Sequence, residues 1–341
     1  AIIKMLTDVT LNKSVTLPNG VTLDLNGKTI SGSTTNIISI AENATVTITD
    51  NSAGGGKISN SKIAGSSSGA VIVENGAKLT LDGGVTLETT GGIPSSLYIY
   101  NKTNTPTVEI KNAKFISKNY AIRLQSSSNN ATINIHDGEF QPGKQSFILN
   151  NNKATVTIYG GTFTKWDDDD MDLLAANKVT VVDSDGVKIQ GIPNAYQAKI
   201  KDDNYYLTSD NLYDLIKRVD VTGKTIQIVD TLSCTYPGDS YFGSSRENAK
   251  TLTLDIAEGK TLSGSMPLRI AEVTVTGSGK LGENFFASAD ATKYEVIESS
   301  PSTGGKLYTG KVKVENAAAF VIRDGASYAY TSVPAAIEVA R

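Results

Sequence analysis

A short strand-like motif recurs through the first half of the chain, and this internal repeat constrains the fold more than any other sequence feature. Each copy alternates polar and apolar residues, which is the period-2 pattern of a strand with one buried face. The copies are Thr45–Ile48, Lys78–Leu81, Thr107–Ile110, Thr132–Ile135 and Thr155–Ile158. Their second residues lie 33, 29, 25 and 23 positions apart, so the repeat settles at a length of about 25 residues.

Two further series of short strands keep the same repeat. One lies between the copies of the first: Ile38–Ile40, Val71–Val73, Leu97–Ile99, Ile122–Leu124 and Phe147–Leu149. The other follows a tight turn and places Phe115, Phe140 and Phe163 in register. Three short strands per repeat predict the coils of a right-handed parallel β-helix, with the three phenylalanines stacked inside. The alternative is an antiparallel β-sandwich, which explains the strand spacing but not the aromatic stack.

The pattern changes after Phe163 and then begins again. Residues 170–176 predict a helical turn, and Gly191–Asn194 predicts a linker. Tyr205–Ser209 leads into a predicted helix, capped by Thr208 or Ser209. Its apolar stripe consists of Leu212, Leu215, Ile216 and Val219.

The strands after this helix repeat the order of motifs at the start of the chain. Thr225–Asp230, Thr253–Ile256 and Gly259–Gly264 follow one another as do Ile3–Asp8, Thr22–Leu25 and Gly27–Gly32. We therefore predict an all-β fold in which a parallel β-helix module with short capping helices spans residues 1–191. A second, smaller β-rich module spans 195–327, and residues 328–341 start a further one, as expected for tandem modules of a longer chain. The alternative is that two β-helices share common strand and turn chemistry.

Several of these segments resemble the large pectate-lyase-like right-handed β-helix repeats of adhesin-like cell-surface proteins from Gram-positive, often gut-dwelling, bacteria. The segments are Thr22–Ile30, Ile48–Ser52, Gly54–Ile58, Gly160–Phe163 and Tyr205–Thr208. The resemblance covers most of residues 1–191 well and residues 195–341 more loosely. It implies an extracellular location, at the cell surface or secreted, and a role as an adhesin or surface-array module.

Composition excludes several classes of function. The net charge is −3, so we expect no basic field for nucleic acid or anionic lipid. With one cysteine, Cys234, and one histidine, His136, the chain has neither an internal disulfide nor a Cys/His zinc site. No apolar run is long enough to span a bilayer, and Gly54–Gly56 lacks the residues of a P-loop.

Catalysis is the next question, because β-helix scaffolds also carry polysaccharide lyases and glycosidases. Strand alternation places Asp82, Lys111 and His136 outward on successive coils, with Glu109 nearby. A glycosidase needs two carboxylates facing each other across a sugar-sized gap, and the outward face of the second series has only Glu74, two coils from Arg123. We expect no enzyme here, since single outward polar residues are usually solvated. Cys234 has no histidine near it in sequence and is interpreted as an incidental thiol.

An aromatic face is the candidate binding site. Tyr98 and Tyr100 are predicted to point outward, beside Arg123 and Gln125 on the next coil and Asn150 beyond. Flat rings with nearby amides suit sugars. The alternative is that an outward tyrosine is only a good strand residue. Trp166 is a second candidate, unless it packs over the last coil.

The acidic run Asp167, Asp168, Asp169 and Asp170 is a weak candidate for calcium, whose preferred ligands are carboxylate oxygens. The run lacks the spacing and the glycine of an EF-hand, and aspartate is also favoured at the start of a helical turn. We therefore expect no cofactor and a monomeric, non-catalytic surface module, an adhesin or a spacer. Its predicted partner is a glycan or a host surface protein. The alternative is a polysaccharide lyase or glycoside hydrolase.

Overall fold

The computed structural model describes residues 1–63, 65, 68–93, 95–125, 130–144, 146–149, 154–236, 241–243, 251–302, 304–323 and 326–340. Over these ranges the chain is all-β, with two short α-helices. It divides into two compact units. The first unit comprises Ala1–Thr180 and Asp185–Ile192, and the second comprises Val181–Ser184 and Pro193–Arg341.

Short strands, most of three to five residues, make up the chain as far as residue 192. In chain order they are β1 Ile2–Lys4, β2 Val9–Leu11, β3 Val15–Leu17, β4 Val21–Asp24, β5 Thr29–Gly32, β6 Asn36–Ile40, β7 Thr45–Thr49, β8 Lys57–Asn60, β9 Gly69–Val73, β10 Lys78–Asp82, β11 Val85–Thr89, β12 Ser95–Ile99, β13 Thr107–Ile110, β14 Ala113–Ser117, β15 Tyr120–Leu124, β16 Ala131–Ile135, β17 Glu139–Pro142, β18 Ile148–Leu149, β19 Ala154–Ile158, β20 Gly161–Phe163, β21 Val179–Val182 and β22 Val187–Gln190. A 3₁₀-helix at Asp168–Leu173 follows β20.

From β1 to β20, each strand pairs in parallel with the strand three positions later in the chain, so that three sheets wind into a β-solenoid. Strand β22 then pairs antiparallel with β20. The orders are β1-β4-β7-β10-β13-β16-β19, β2-β5-β8-β11-β14-β17-β20 and β3-β6-β9-β12-β15-β18. Leu79 pairs with Val108, and Val108 pairs with Ile133. The predicted parallel coil architecture is confirmed, and the alternative antiparallel sandwich is wrong.

The interior of the first unit contains the predicted phenylalanine stack. Phe115 and Phe140 lie 4.8 Å apart between ring centroids, and Phe140 and Phe163 lie 4.7 Å apart, with interplanar angles of 7° and 8°. Trp166 packs edge-on against Phe163 at 5.1 Å and is buried. The tryptophan therefore covers the last coil instead of offering a ring to a ligand.

Turns between coils are held by side-chain amides and carboxylates, which bond the backbone groups that no strand satisfies. Asn60 is fully buried and donates to the carbonyls of Thr34 at 2.9 Å and Gly69 at 2.8 Å. Asp50 accepts from the backbone N–H groups of Gly27 and Ser52. The Asn- and Gly-rich composition thus serves the corners of the coils.

The second unit is shorter and mixes parallel with antiparallel pairing. Its strands are β23 Ala198–Ile200, β24 Tyr205–Leu207, β25 Thr225–Ile228, β26 Leu232–Thr235, β27 Thr251–Ile256, β28 Thr261–Ser265, β29 Glu272–Gly277, β30 Lys280–Leu281, β31 Tyr294–Ser299, β32 Lys306–Val312, β33 Ala319–Arg323 and β34 Ala326–Tyr330. Its helices are α1 Tyr213–Ile216, a 3₁₀-helix Val314–Asn316 and α2 Val333–Ala340.

A parallel stack forms the centre of the second unit, with antiparallel pairs on both sides. Strands β25, β27 and β29 are parallel, and so are β26, β28 and β30. Strand β23 pairs antiparallel with β24 and β25, while β32 pairs antiparallel with β29 and β31. Strands β33 and β34 form a separate hairpin.

Helix α1 differs from its prediction in length and capping. It is a single turn whose N-cap residue is Leu212, with no side-chain capping hydrogen bond, so neither Thr208 nor Ser209 is the cap. The backbone N–H of Tyr213 donates to the Asn211 side chain at 3.1 Å. Ser209 instead donates to Asp214 at 2.8 Å. Over the described ranges, no helix is long and apolar enough to cross a membrane.

Candidate functional site

The predicted aromatic face has the expected register but not the expected exposure. Tyr98 pairs with Arg123 across neighbouring coils, and the backbone N–H of Gln125 donates to the Ile99 carbonyl at 3.0 Å. Tyr98, however, is only 1% exposed, so the prediction that it offers an open ring is wrong. Alternation determines which way a side chain points, but not what covers that face of the sheet.

The remaining residues of that face are less accessible than predicted. Tyr100, Arg123 and Gln125 are each half-buried, and Asn150 lies outside the described residues. The Nε atom of Arg123 is buried and has no hydrogen-bond partner among the described residues. A sugar ring has no open aromatic platform at Tyr98.

The acidic run supports its own helical turn. Asp170 is buried, and its carboxylate accepts from the backbone N–H of Asp167 at 3.1 Å and from the Ser146 hydroxyl at 3.5 Å. The side chains of Asp168 and Asp169 lie outside the described part of the chain. Among the residues that the structure describes, no group of three or more His, Cys, Asp or Glu side chains is arranged to hold a metal ion. Calcium binding stays a prediction.

The outward polar residues of the first sheet form two separate pairs. Lys111 Nζ lies 3.9 Å from a carboxylate oxygen of Asp82. His136 Nε2 lies 2.9 Å from Glu109 Oε2, and Asn134 donates to Glu109 Oε1 at 2.7 Å. His136 thus contacts Glu109 and not Asp82, at a partly exposed position.

Sequence reasoning missed a cleft of about 600 Å³ in the second unit. We call it the aromatic cleft. It is lined by Val275, Thr276, Gly277, Gly279, Leu281, Gly282, Asn284, Phe285, Phe286, Val296, Glu298, Gly305, Lys306 and Tyr308. The dipeptide Phe285-Phe286 after a glycine-rich turn was the one sequence feature that pointed to it, because it breaks the alternating pattern.

Three aromatic residues form one side of the aromatic cleft. Phe286 and Tyr308 lie 4.5 Å apart between ring centroids, at an interplanar angle of 39°. Phe285 is buried and meets Phe286 edge-on at 5.0 Å. Phe285 therefore anchors the segment, while the half-buried Tyr308 keeps part of its ring open to a ligand.

A charged pair forms the rim. Glu298 and Tyr308 are directly opposite each other on β31 and β32, and Glu298 Oε1 lies 2.8 Å from Lys306 Nζ. Hydrogen bonds from Lys306 and Tyr308 lower the pKa of Glu298, and the same contact with Glu298 raises the pKa of Lys306. Partial burial, and then the hydrogen bond to Glu298, raise the pKa of Tyr308. At neutral pH the rim therefore holds one anion, one cation and a neutral phenol.

Glycine at position 305 allows two strands of the cleft to approach closely. Its φ is +80°, and a Cβ there would lie 2.5 Å from the carbonyl oxygen of Val275. A larger residue would push β32 away from β29 at the edge of the cleft. The width of the opening thus depends on this close backbone contact.

A second depression, of about 580 Å³, lies on the first unit. Its lining is polar, with Lys114 and Glu139 in an ion pair at 2.9 Å and with Asp137, Asp185 and Lys188 around them. No aromatic residue is among the described residues that line it. This groove lacks the flat apolar surface that the aromatic cleft provides.

Comparison with known proteins completes the description of the site. A functional assignment rests on the geometry and charge of the aromatic cleft. No protein-family model, no curated protein and no solved structure matches this chain.

Proposed function

We propose that the chain is a non-catalytic, extracellular surface-protein module that binds glycan, and that the aromatic cleft is its sugar site. The observation that carries the proposal is the combination of the Phe286–Tyr308 pair with the Glu298–Lys306 ion pair in one cleft. Small-ligand sites are typically concave, lined by apolar and aromatic side chains, and oriented by a few polar groups.

The chemistry of a sugar ring matches these surfaces. The apolar face of a pyranose packs on the exposed part of the Tyr308 ring, as other flat apolar groups do on aromatic side chains. Sugar hydroxyls act both as donors and as acceptors. Glu298 offers acceptor oxygens and Lys306 offers donors at the rim, while Asn284 supplies both.

The protonation states favour binding over catalysis. Glu298 is the one carboxylate among the described lining residues, whereas a glycosidase needs a pair of which one member has a raised pKa. The pKa of Glu298 is lowered, so it stays ionised at neutral pH. A lyase needs a neutral lysine or an ionised tyrosine as base, and the pKa values of Lys306 and Tyr308 are both raised away from those forms.

The role as a surface module rests on the coil architecture together with the sequence resemblance. Stacked coils make a stiff, quasi-one-dimensional support, because each coil contacts mainly its neighbours. Such a support suits an adhesin that holds a binding cleft away from the cell. A host surface protein is the alternative partner, and a spacer without a ligand is the simplest form of this role.

Retention on immobilised neutral and uronic-acid polysaccharides tests the proposal. We expect Tyr308→Ala to weaken binding by about tenfold or more, as truncation of a central aromatic residue typically does. Tyr100→Ala is the matched control, since it removes a half-buried tyrosine of the first unit. Loss of binding in Tyr100→Ala with Tyr308→Ala unaffected would move the site to the face predicted from sequence. Far-UV circular dichroism checks that both variants fold.

A polysaccharide lyase or hydrolase is the second candidate, and one observation favours it. The supporting observation is the 2.9 Å contact between His136 and Glu109, two residue types that serve as acids and bases in catalysis. If the chain cleaves polysaccharide, Glu109→Gln should abolish product release while Asp82→Asn leaves it unchanged. Released products that require Glu109 would replace the binding proposal, whereas retention without products supports it.

A further inference from the structure

An arginine between two tyrosines lies where neighbouring coils of the second unit meet. The backbone N–H of Phe242 donates to the carbonyl of Pro267 at 2.9 Å, and that of Arg269 donates to the Phe242 carbonyl at 3.2 Å. Phe242 and Leu268 pair in parallel, and both are buried. Because side chains alternate along extended segments, Tyr241 and Arg269, which flank this pair, point away from the interior.

Two phenols hold the guanidinium of Arg269 in place. Its Nε donates to the Tyr294 hydroxyl at 2.9 Å, and its Nη1 donates to the Tyr241 hydroxyl at 2.6 Å. Its Cζ lies 5.2 Å from the ring centroid of Tyr294 and 5.3 Å from that of Tyr241, within the range of a cation–π contact. The group is therefore fixed before a ligand arrives, which lowers the entropic cost of binding.

The positive charge of Arg269 has no carboxylate partner in the part of the chain that the structure describes. Other cations of the second unit do have one, since Lys306 lies 2.8 Å from Glu298 and Lys293 lies 3.6 Å from Asp290. Arg269 is half-buried, and removing a charge from water costs free energy that a neutral phenol offsets only in part. An external anion is the group that completes this site.

The donors that Arg269 leaves unused form a planar fork. Its contacts with Tyr241 and Tyr294 use Nε and one N–H of Nη1, and Nη2 has no hydrogen-bond partner among the described residues. The second N–H of Nη1 and those of Nη2 match the two oxygens of a carboxylate. Tyr241 accepts from Arg269, so its own O–H is a further donor for the same anion.

The ring of Tyr241 indicates what carries the carboxylate. This tyrosine is half-buried, so part of its ring stays open beside the fork of Arg269. The apolar face of a pyranose packs on such a ring. In a uronic acid the carboxylate is attached directly to the pyranose, so that the sugar ring and the anion meet Tyr241 and Arg269 together.

We propose that Arg269, Tyr241 and Tyr294 bind the carboxylate of an acidic sugar, namely a uronic acid residue of a glycan. The site is separate from the aromatic cleft, because none of these three residues is among the described residues that line the cleft. In the cleft, Glu298 and Lys306 neutralise each other. The cleft therefore suits neutral sugars, whereas the arginine site selects acidic ones.

Titration of the intact chain with D-galacturonate tests the site through the ¹H–¹⁵N signal of the Arg269 Nε–H group, which Arg269→Lys identifies by removing it. We expect this signal to shift and to saturate with a dissociation constant on the order of 1 mM. D-Galactose, which has a hydroxymethyl group in place of the carboxylate, is the matched ligand and should shift the signal at least about tenfold more weakly. Equal shifts with the two sugars would overturn the proposal. So would acetate binding as tightly as D-galacturonate, because the pyranose ring would then contribute nothing.

Two variants test the same residues from the NMR signals of the sugar. Arg269→Gln should weaken D-galacturonate binding by about tenfold or more, because it removes the fork. Tyr241→Phe keeps the ring and the guanidinium, and should weaken binding by about two- to fivefold through the loss of one donor. Arg218→Gln is the matched control, since Arg218 is also half-buried in the second unit but bonds the Ser184 carbonyl at 2.9 Å.

Unchanged affinity in Arg269→Gln and Tyr241→Phe would contradict the proposal. An equal loss in Arg218→Gln would also contradict it, because it would indicate general attraction of an anion to positive charge. Thermal melts check that the variants fold, and Tyr241→Phe, which leaves Arg269 in place, keeps the test decisive if Arg269→Gln is unstable.

Tyr308→Ala distinguishes this site from the aromatic cleft. We expect the Arg269 signal to titrate with D-galacturonate in this variant as in the wild type, since Tyr308 is in the cleft lining and Arg269 is not. Loss of that titration in Tyr308→Ala would place the uronate in the cleft and overturn the proposal. Titration of Arg269 in a chain that is not retained on neutral polysaccharide would refute the cleft as a sugar site while supporting this one.

Discussion

The two units are built from the same kind of coil, yet one fills its interior and the other leaves a cleft. In the first unit, Phe115, Phe140 and Phe163 repeat at the same place in successive coils and stack without a gap. In the second unit, the parallel stack gives way to antiparallel β32 after β29, and the aromatic residues Phe286 and Tyr308 line an opening. Regular repetition packs a core, whereas an interruption of the repeat creates a site.

Removing the central ring of the phenylalanine stack should change the free energy of unfolding more than any other substitution considered below. Phe140→Ala is expected to destabilise the first unit by about 3–5 kcal/mol, since a fully buried ring between two others leaves a cavity. Phe320→Ala, at a half-exposed position of the second unit, is the control and should cost less than about 1 kcal/mol. Urea unfolding of dilute protein measures both, and similar losses in the two variants would refute the contrast.

Two intrinsic probes compare the units within one molecule. Trp166, the single tryptophan, is buried in the first unit, and Cys234, the single cysteine, is buried in the second. Burial raises the pKa of the Cys234 thiol to about 12, so the folded protein should resist alkylation at pH 8. The second unit stacks fewer coils, so Cys234 should react at a urea concentration about 1 M below the Trp166 fluorescence midpoint. Coincident midpoints would show that the units unfold together.

The hydroxyl of Tyr308 forms a hydrogen bond with Glu298, so this residue belongs both to the aromatic side of the cleft and to its charged rim. Tyr308→Phe keeps the ring but removes the hydrogen bond to Glu298, and should lower the urea midpoint only slightly, because the Glu298 carboxylate is exposed to water. Sugar retention should then fall by less than in Tyr308→Ala, because the ring remains. A Tyr308→Phe variant that binds as weakly as Tyr308→Ala would assign the binding energy to the hydroxyl.

The smallest expected effect is a change in folding stability at acidic pH. The pKa of Glu298 in the folded protein is lowered by Lys306 and Tyr308 from its ordinary value of 4.5. Its stabilising contribution is therefore complete above pH 4.5 and is lost as the pH falls through the lowered value. Glu298→Gln should melt closer to the wild type at pH 3 than at pH 7. A difference in melting temperature between Glu298→Gln and the wild type that is the same at pH 3 and at pH 7 would contradict this prediction.

The coils could be predicted well from the sequence, because they depend on a pattern of neighbouring residues within each short strand. A period of two residues within each strand, repeated about every 25 residues, determines which side chains point inward and which coils stack. The capping of α1 was less predictable, since Asn211, Ser209 and Thr208 are all competent caps. The N-cap residue is Leu212, which makes no side-chain capping hydrogen bond, and the neighbouring Asn211 side chain accepts from the backbone N–H of Thr235, which is distant in sequence.

The candidate site was less accessible to prediction. The register that pairs Tyr98 with Arg123 was predicted correctly, but the burial of Tyr98 depends on other parts of the chain. His136 was correctly placed on the ladder of outward residues, yet its partner is Glu109 and not Asp82. Side-chain length and rotamer decide between two such neighbours, and no periodicity encodes them.

By itself, the sequence determined the repeat, the residues of each strand that point inward and the phenylalanine stack. The physical reason is that successive side chains along a strand point to opposite faces of the sheet. The tertiary structure alone decided that Tyr98 is covered and that Glu298, Lys306 and Tyr308 meet. It also decided that a cleft opens where β32 joins β29 antiparallel. These features depend on contacts between segments far apart in the chain, and such contacts follow from packing instead of from a local pattern.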